Sequence, residues 1–296
     1  MPDTGRGPLP VPGNVDALAP GLVRITSPNP GVMTGPGTNT YVVGTGDVAV
    51  VDPGPDDATH LRAVHDAVEG AGGRVRWVLV THTHPDHAPG AARLAAISGA
   101  ETIGFAARAG FMPDVRASDG WQLVAPTFRL TALHTPGHAS DHLCWLLDEP
   151  RILLSGDHVM DAVTVVIAPP DGDMGAYLES LERVAAMDPP IDALAPGHGR
   201  LLGDPSTVIR AVVAHRLARE AIVVDALAAA GTAGIDELVP AVYVDVSPQL
   251  FPIARLSLWA HLRKLVTDGS AVEVATSPVP TYTYRSAAVS AGAGRG

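Results

Sequence analysis

With a single cysteine, Cys144, the chain can form no disulfide within itself, and nothing in the sequence calls for an oxidising compartment. That cysteine lies in the apolar run HLCWLL, the setting of a buried structural thiol rather than a reactive one. Long hydrophobic runs are missing too. Nowhere do about 18 apolar residues follow one another, and MPDTGRGPLPVPGNVDALAP at the start has no basic patch leading into an apolar stretch. The expectation is a cytoplasmic protein with no secretion signal and no membrane span. Positive charge is also scarce: 20 Lys and Arg face 31 Asp and Glu, a net charge of -11, and only Lys264 is a lysine. Such a chain repels polyanions at long range. A nucleic acid would have to be held by a local arginine cluster or through metal ions.

What is present is an apolar content of 46% in 296 residues, enough for one large core and a small appendage. LVRIT (22–26), TYVVG (40–44) and DVAVVD (47–52) read as short strands, the last two joined as a hairpin across Thr45 and Gly46. Further on, a helix from Asp57, a strand from Val75, a helix from about Asp86 through Ile97 and a strand near Thr102 alternate. Strands over FRLTALHT, HLCWLL, RILLSGD and IDALAPGHG and a helix over 175–187 complete an α/β pattern of sheets covered by helices. From Pro205 the pattern turns mostly helical and closes with the strand SAVEVA. The expected organisation is a tail over 1–20, a main domain over 21–204, a helical unit over 205–276 and a second tail over 277–296.

The densest chemistry is THTHPDH, where His82, His84, Asp86 and His87 follow an apolar strand. His82 and His84, two apart, suit one metal ion, and Pro85 forces a turn that sends Asp86 and His87 towards a second. A metal needs about four donors, and the chain offers three more candidates where a strand-like run ends in Gly: His138 in TPGHASDH, Asp157 in LLSGDH and His198 in LAPGHG. Clustering at the C-terminal ends of strands is where an α/β layer builds its site. Imidazole and carboxylate donors without thiolate suit Zn²⁺, with Mn²⁺ or Fe²⁺ also possible. His142 and His158 sit beside these donors, whereas His60, His65, His215 and His261 lie on helical segments and read as solvent-facing.

These motifs, together with VVDPG around Asp52, resemble those of the metallo-β-lactamase-fold hydrolases over about residues 20–200. The resemblance implies a four-layer αββα sandwich. It implies that His82, His84 and His138 hold one Zn²⁺, that Asp86, His87 and His198 hold another, and that Asp157 bridges them, with Asp52 supporting from behind. His142 and His158, each next to a ligand in sequence, read either as supporting the ligands or facing the substrate, or as turn residues. A hydroxide bridging the ions is then the nucleophile, with Asp157 and Asp86 the catalytic carboxylates, Asp86 taking part in proton transfer. Asp157 stands where true class B β-lactamases commonly carry Cys, and His84 where flavodiiron-type members carry Glu. The 41 positions from Asp157 to His198 leave no room for the cap domain of RNA-cleavage-factor members.

GPGTNTYVVG and the C-terminal LSLWAHLRKLVTDGSAVEV resemble the lactamase-beta-2-like branch, which carries a C-terminal winged-helix-like domain and whose mammalian member is a single-strand endoribonuclease. Leu256, Trp259, Leu262 and Leu265 fall at helical spacing as a core stripe packing on the hydrolase domain. The helical unit has no basic excess, so double-stranded DNA is not an expected partner; a homodimer is possible. The functional expectation is a binuclear zinc hydrolase leaning to single-stranded RNA. The alternative is an acyl hydrolase of a thioester, lactone or β-lactam, glyoxalase-II-like or β-lactamase-like, and a lesser one is a non-catalytic metal-binding or interaction protein. An arginine cluster at the cleft favours RNA; an apolar slot favours acyl chemistry.

Overall fold

The computed structural model describes residues 3–275 and 280–285. In chain order the first elements are β1 (Gly5–Arg6), β2 (Val15–Ala19), β3 (Leu22–Thr26), β4 (Asn39–Val43), β5 (Asp47–Val51), α1 (Ala58–Gly70), β6 (Arg74–Leu79), α2 (Gly90–Ser98) and β7 (Glu101–Gly104). Then come β8 (Val115–Arg116), β9 (Gln122–Val124), β10 (Arg129–His134), β11 (Leu143–Leu147), β12 (Ile152–Gly156), α3 (Met174–Ala185), β13 (Ala193–Pro196) and β14 (Leu201–Gly203). Last are α4 (Pro205–Ala230), β15 (Thr232–Gly234), α5 (Ile235–Val242), α6 (Phe251–Thr267), β16 (Ala271–Ala275) and β17 (Thr281–Tyr284).

One compact unit runs to Val165 and takes in Ala176–Val213. It contains two seven-stranded sheets, ordered β1-β14-β13-β12-β11-β10-β9 and β2-β3-β4-β5-β6-β7-β8. Alternation along the strands builds two apolar layers. Tyr41, Val43, Ala49 and Val51 join Leu130, Leu143, Trp145 and Leu154 in one core. Val42, Val48 and Val50, one residue out of phase, meet Leu61, Val64 and Val68 of α1 and Leu94 of α2 in the other. α1 starts where the Asp57 carboxylate accepts the amides of Thr59 and His60 at 2.8 and 2.9 Å.

The expected helix from Asp86 begins only at Gly90. Pro85 and Pro89 bracket a turn in which the amides of His87 and Ala88 donate to the His84 carbonyl at 3.0 and 3.2 Å, so the donors sit on a loop rather than a helix face.

The expected N-terminal tail is a second difference. β1 pairs with β14, and β2 pairs with β3. Its anchor is the buried Arg24, whose Nη2 donates to Asp16 Oδ2 at 2.6 Å and to the Pro8 carbonyl at 2.9 Å. At the other end, β17 lies between β15 and β16, so 281–284 is strand and not tail. The rest of the tail expected over 277–296, apart from Pro280 and Arg285, lies outside the described residues.

The second unit comprises Val166–Gly175 and the described chain from Ala214 onward. α4 runs unbroken from Pro205, so the division falls inside this helix and not at 204/205. Its core joins Val223, Leu227, Ile235, Leu238 and Val242 to Ala254, Leu258, Leu262, Leu265 and Tyr282. The buried stripe of α6 therefore passes through Ala254 and Leu258, Trp259 packs at its edge, and Leu256 lies outside it.

Candidate metal centre

β6 ends at Leu79, and the loop after it carries His82, His84, Asp86 and His87. His138 follows β10, Asp157 follows β12 and His198 follows β13. All seven converge. The Nε2 atoms of His82 and His138 each lie 2.9 Å from His84 Nδ1. Asp86 Oδ2 is 3.2 Å from His198 Nε2 and 3.4 Å from His87 Nε2. Asp157 faces both groups: Oδ1 is 3.4 Å from the Nε2 atoms of His87 and of His198, and Oδ2 is 3.6 Å from His138 Nε2.

Hydrogen bonds behind the imidazoles fix which nitrogen faces inward. The Thr81 hydroxyl donates to Asp52 Oδ2 at 2.7 Å, so His82 Nδ1, 3.0 Å from that hydroxyl, is the donor and Nε2 keeps its lone pair. Asp52 Oδ2 also takes the Nδ1 proton of His87 at 2.8 Å, and the Gly37 carbonyl takes that of His198 at 3.2 Å. His142 acts on Asp157. Its Nε2 accepts the Asp157 amide at 3.2 Å, and Nδ1 faces the Thr135 hydroxyl at 2.8 Å.

Several groups that the sequence left unmarked complete this frame. Arg24 Nη1 and Asn39 Nδ2 both donate to the Gly199 carbonyl, at 3.2 and 2.9 Å, and the Tyr41 hydroxyl donates to that of Pro196 at 2.7 Å, fixing the loop that carries His198. Thr83 donates its amide and hydroxyl to Asp141 Oδ2 at 3.2 and 2.7 Å, tying the His84 loop to the His138 loop. The legible signal was polar residues on buried strands, Arg24 in LVRIT and Asn39 and Tyr41 in TNTYVV. Gly197 leaves room for two donors: a Cβ there would lie 2.6 Å from Asp157 Oδ1 and 2.7 Å from His87 Cε1 and force one of them to shift.

Burial holds His82, His84 and His142 neutral, His84 down at about 4, and the neighbouring imidazoles push the same way. His87 and His198 go up, because burial, which lowers them, is outweighed by carboxylates, Asp157 foremost. Burial would raise Asp86 and Asp157, yet the imidazoles of His87 and His198 pull both below the ordinary carboxylate range.

His158 packs edge-on to the Tyr177 ring at 5.4 Å, with the His142 ring 6.1 Å away, and burial drives its pKa down to about 3. Two of the helical histidines expected to face solvent do not: His60 is 3% exposed and His261 is fully buried. His60 belongs to the inward face of α1 with Leu61 and Val64, and His261 lies between the buried Leu258 and Leu262.

The residues fit a metal ion. Two imidazole nitrogens directed at a third cannot both be satisfied by one shared proton. His87 Nε2, Asp157 Oδ1 and His198 Nε2 are buried with no hydrogen-bond partner among the described residues. Three groups, His82/His84/His138, His82/His87/Asp157 and Asp86/His87/His198, each have donor atoms within 4.8 Å of one another.

A family model for the metallo-beta-lactamase superfamily matches residues 33–198, the span that contains all seven donors. The chain belongs to the metallo-beta-lactamase superfamily. A second model, the beta-lactamase associated winged helix domain, matches residues 234–277 of this metallo-beta-lactamase family chain. Among curated relatives, an "Atrochrysone carboxyl ACP thioesterase" of Passalora fulva is 30% identical over 287 residues, covering 88% of this chain and 80% of that protein. A "Lactamase-like protein" of Pestalotiopsis microspora is 31% identical over 221 residues, 74% of this chain and 66% of that one. The fold recurs in a beta-lactamase domain protein from Burkholderia ambifaria at TM-score 0.79 and 22% identity, covering 93% and 95% of the two chains. It recurs in a metallo-beta-lactamase family protein from Thermus thermophilus at TM-score 0.75 and 23% identity, covering 91% and 100%. Among the described residues no helix is long and apolar enough to cross a membrane.

Beside His84 lies a groove of about 580 Å³, lined by Pro85, Ala88, Pro89, Ala92, Phe111 and Met112 with Thr83 and Thr102. Among the described residues, Arg108 is the one Arg, Lys, Asp or Glu in its lining.

Proposed function

We propose that this chain is a zinc-dependent acyl hydrolase acting on thioesters. The observation that carries the reading is the groove beside His84, apolar along its walls and holding one arginine where a polyanion track needs several. The thioesterase name of the Passalora fulva relative supports it. The lean towards single-stranded RNA gives way on both grounds, joined by a net charge of -11.

Two Zn²⁺ ions are the proposed occupants, one held by His82, His84 and His138, one by Asp86, His87 and His198, with Asp157 shared between them. Bound there they supply Lewis acidity, lowering the pKa of water from about 15.7 towards about 7 and stabilising charge on the acyl oxygen. The protein's own part is orientation and proton handling. Asp52 and Thr81 fix His87 and His82, and His142 fixes Asp157. Asp86, whose side chain keeps 26% exposure against 10% for Asp157, is the carboxylate placed to take a proton from the attacking water. The water oxygen bonds to the acyl carbon as one of its protons passes to Asp86, and the carbon–sulfur bond breaks with its electron pair leaving on sulfur. The carboxylic acid so formed gives its remaining proton to solvent, leaving a carboxylate and a thiolate. A thiol with pKa about 8.5 leaves as thiolate without a dedicated acid, so the reaction needs no further proton donor. The inert-protein alternative fails to explain why His84 and Asp86 are left partly exposed to solvent while the other donors are buried.

The test is the zinc-loaded full chain assayed against a thioester, a lactone, a β-lactam and a short single-stranded RNA. Thioester turnover that is lost in Asp157→Ala is expected. RNA cleavage with no thioester turnover overturns the reading.

A further inference from the structure

We propose that the groove beside His84 is the acyl channel, and that Ala92 and Met112 set the size of the acyl group; this rests on the thioester reading above. One wall runs from Pro85 and Pro89, in the turn that follows His84, to Ala92 in the first turn of α2, and all three are exposed. The other wall is the turn 108–112, ending in Met112 at 73% exposure. Ala88 and Phe111, both buried, belong to the same lining. An exposed apolar strip that ends at a candidate catalytic centre has a use in binding.

The second wall is built, not loose. Arg108 and Phe111 exchange backbone hydrogen bonds of 3.0 and 2.8 Å across a tight turn, with Ala109 at φ 48° and Gly110 at φ 87°. A positive φ at a non-glycine residue is a strain that the surroundings must hold in place. Phe111 sits so close to Gly104 that a Cβ there would meet its ring at 2.6 Å, and Asp114 Oδ2 accepts both the amide and the hydroxyl of Thr102, at 2.9 and 2.7 Å. The wall is thus pinned at both ends, and the flexible, polarisable thioether of Met112 is its adjustable lip.

Chemistry decides which half of a thioester the groove takes. A carrier arm brings phosphate and amide groups, for which these walls offer one guanidinium, itself hydrogen-bonded to Ser140 Oγ at 2.8 Å. An acyl group brings methylenes or rings, which the walls match. At roughly 30 Å³ per water, about 580 Å³ holds far more than an acetyl group and accommodates a long chain or fused rings.

The experiment measures kcat/KM of the zinc-loaded full chain on unbranched N-acetylcysteamine thioesters from acetyl to decanoyl. For wild type kcat/KM should rise by up to about fourfold for each buried methylene and then level off. In Ala92→Phe, a change at an exposed helix position, the decanoyl-to-acetyl ratio should fall at least tenfold, and in Met112→Ala it should also change, with zinc content unaltered in both. If thioesters are cut with a flat chain-length profile, or the ratio is unmoved in both variants, the groove is not the acyl channel although the thioester reading stands. If no thioester of any length is cut, that reading falls and the channel with it.

Discussion

His87 Nδ1 lies 2.8 Å from Asp52 Oδ2, the oxygen that also accepts the Thr81 hydroxyl at 2.7 Å. Asp52 Oδ1 takes the Thr81 amide at 2.7 Å, so one buried carboxylate orients the His87 ring and the loop that also carries His82, His84 and Asp86. Removing it leaves the seven donors in the chain but loosens two of them. Asp52→Ala should lower zinc affinity about 10- to 100-fold, measured by competition with a chelating indicator. An unchanged affinity would show that Asp52 orients nothing that matters to the metal.

Gly197→Ala tests how tightly the centre is packed. The new methyl would stand 2.6 Å from Asp157 Oδ1, so the carboxylate or the Gly197 backbone must move. A shift of that kind should reduce kcat roughly 100-fold with the unfolding midpoint little changed. Full activity would mean that the loop has room to give.

Arg24 is fully buried, and its partner Asp16 is 11% exposed, so taking away the cation strands a largely buried carboxylate. Arg24→Met should cost about 3–5 kcal/mol in urea unfolding. The double variant with Asp16→Leu should recover part of the loss. Because Nη1 also holds the Gly199 carbonyl, zinc affinity should fall in both variants. A single variant as stable as wild type would contradict the assignment.

His60 gives a pH dependence remote from the metal ligands. Burial lowers its pKa from 6.5 to about 4, and its Nε2 lies 2.9 Å from Thr40 Oγ1, whose own hydrogen goes to the Asp52 carbonyl at 2.8 Å. His60 is therefore the donor to that hydroxyl. Between pH 6.5 and about 4 the unfolded chain binds the proton and the folded chain does not, so the stability present above 6.5 is lost as pH falls towards 4. Over that interval wild type should lose up to about 3 kcal/mol relative to His60→Gln. Parallel curves for the two proteins would refute it.

Much of the centre was readable in advance because its donors are strongly typed and each follows a strand or a glycine turn: His82 to His87, His138, Asp157 and His198. The α/β sandwich was likewise visible as alternating apolar runs, with β3 starting and ending where LVRIT does. The edges were not. β1, β2 and β17 are short strands in Gly-, Pro- or Thr-rich sequence whose identity comes from their partners, and pairing with a distant strand leaves no local periodicity. The sequence places the start of α2 at Asp86 rather than Gly90 because the donors of a turn mimic the polar entry of a helix, and only the two prolines distinguish them. Buried polar supports such as Arg24, Thr81 and Asp141 were missed since their role depends on carbonyls and rings far along the chain. The proposed preference for thioester over RNA rests on the lining of a groove assembled from residues 83–112, which no single motif encodes.

The central claim, that seven side chains gather to hold metal, is tested most directly by titrating metal-depleted full-length chain with Zn²⁺ against a competing indicator, alongside Asp157→Ala and His84→Ala. Saturable uptake of two ions by wild type, weakened in both variants, is the expected result. No uptake by wild type, or identical uptake by all three proteins, contradicts it.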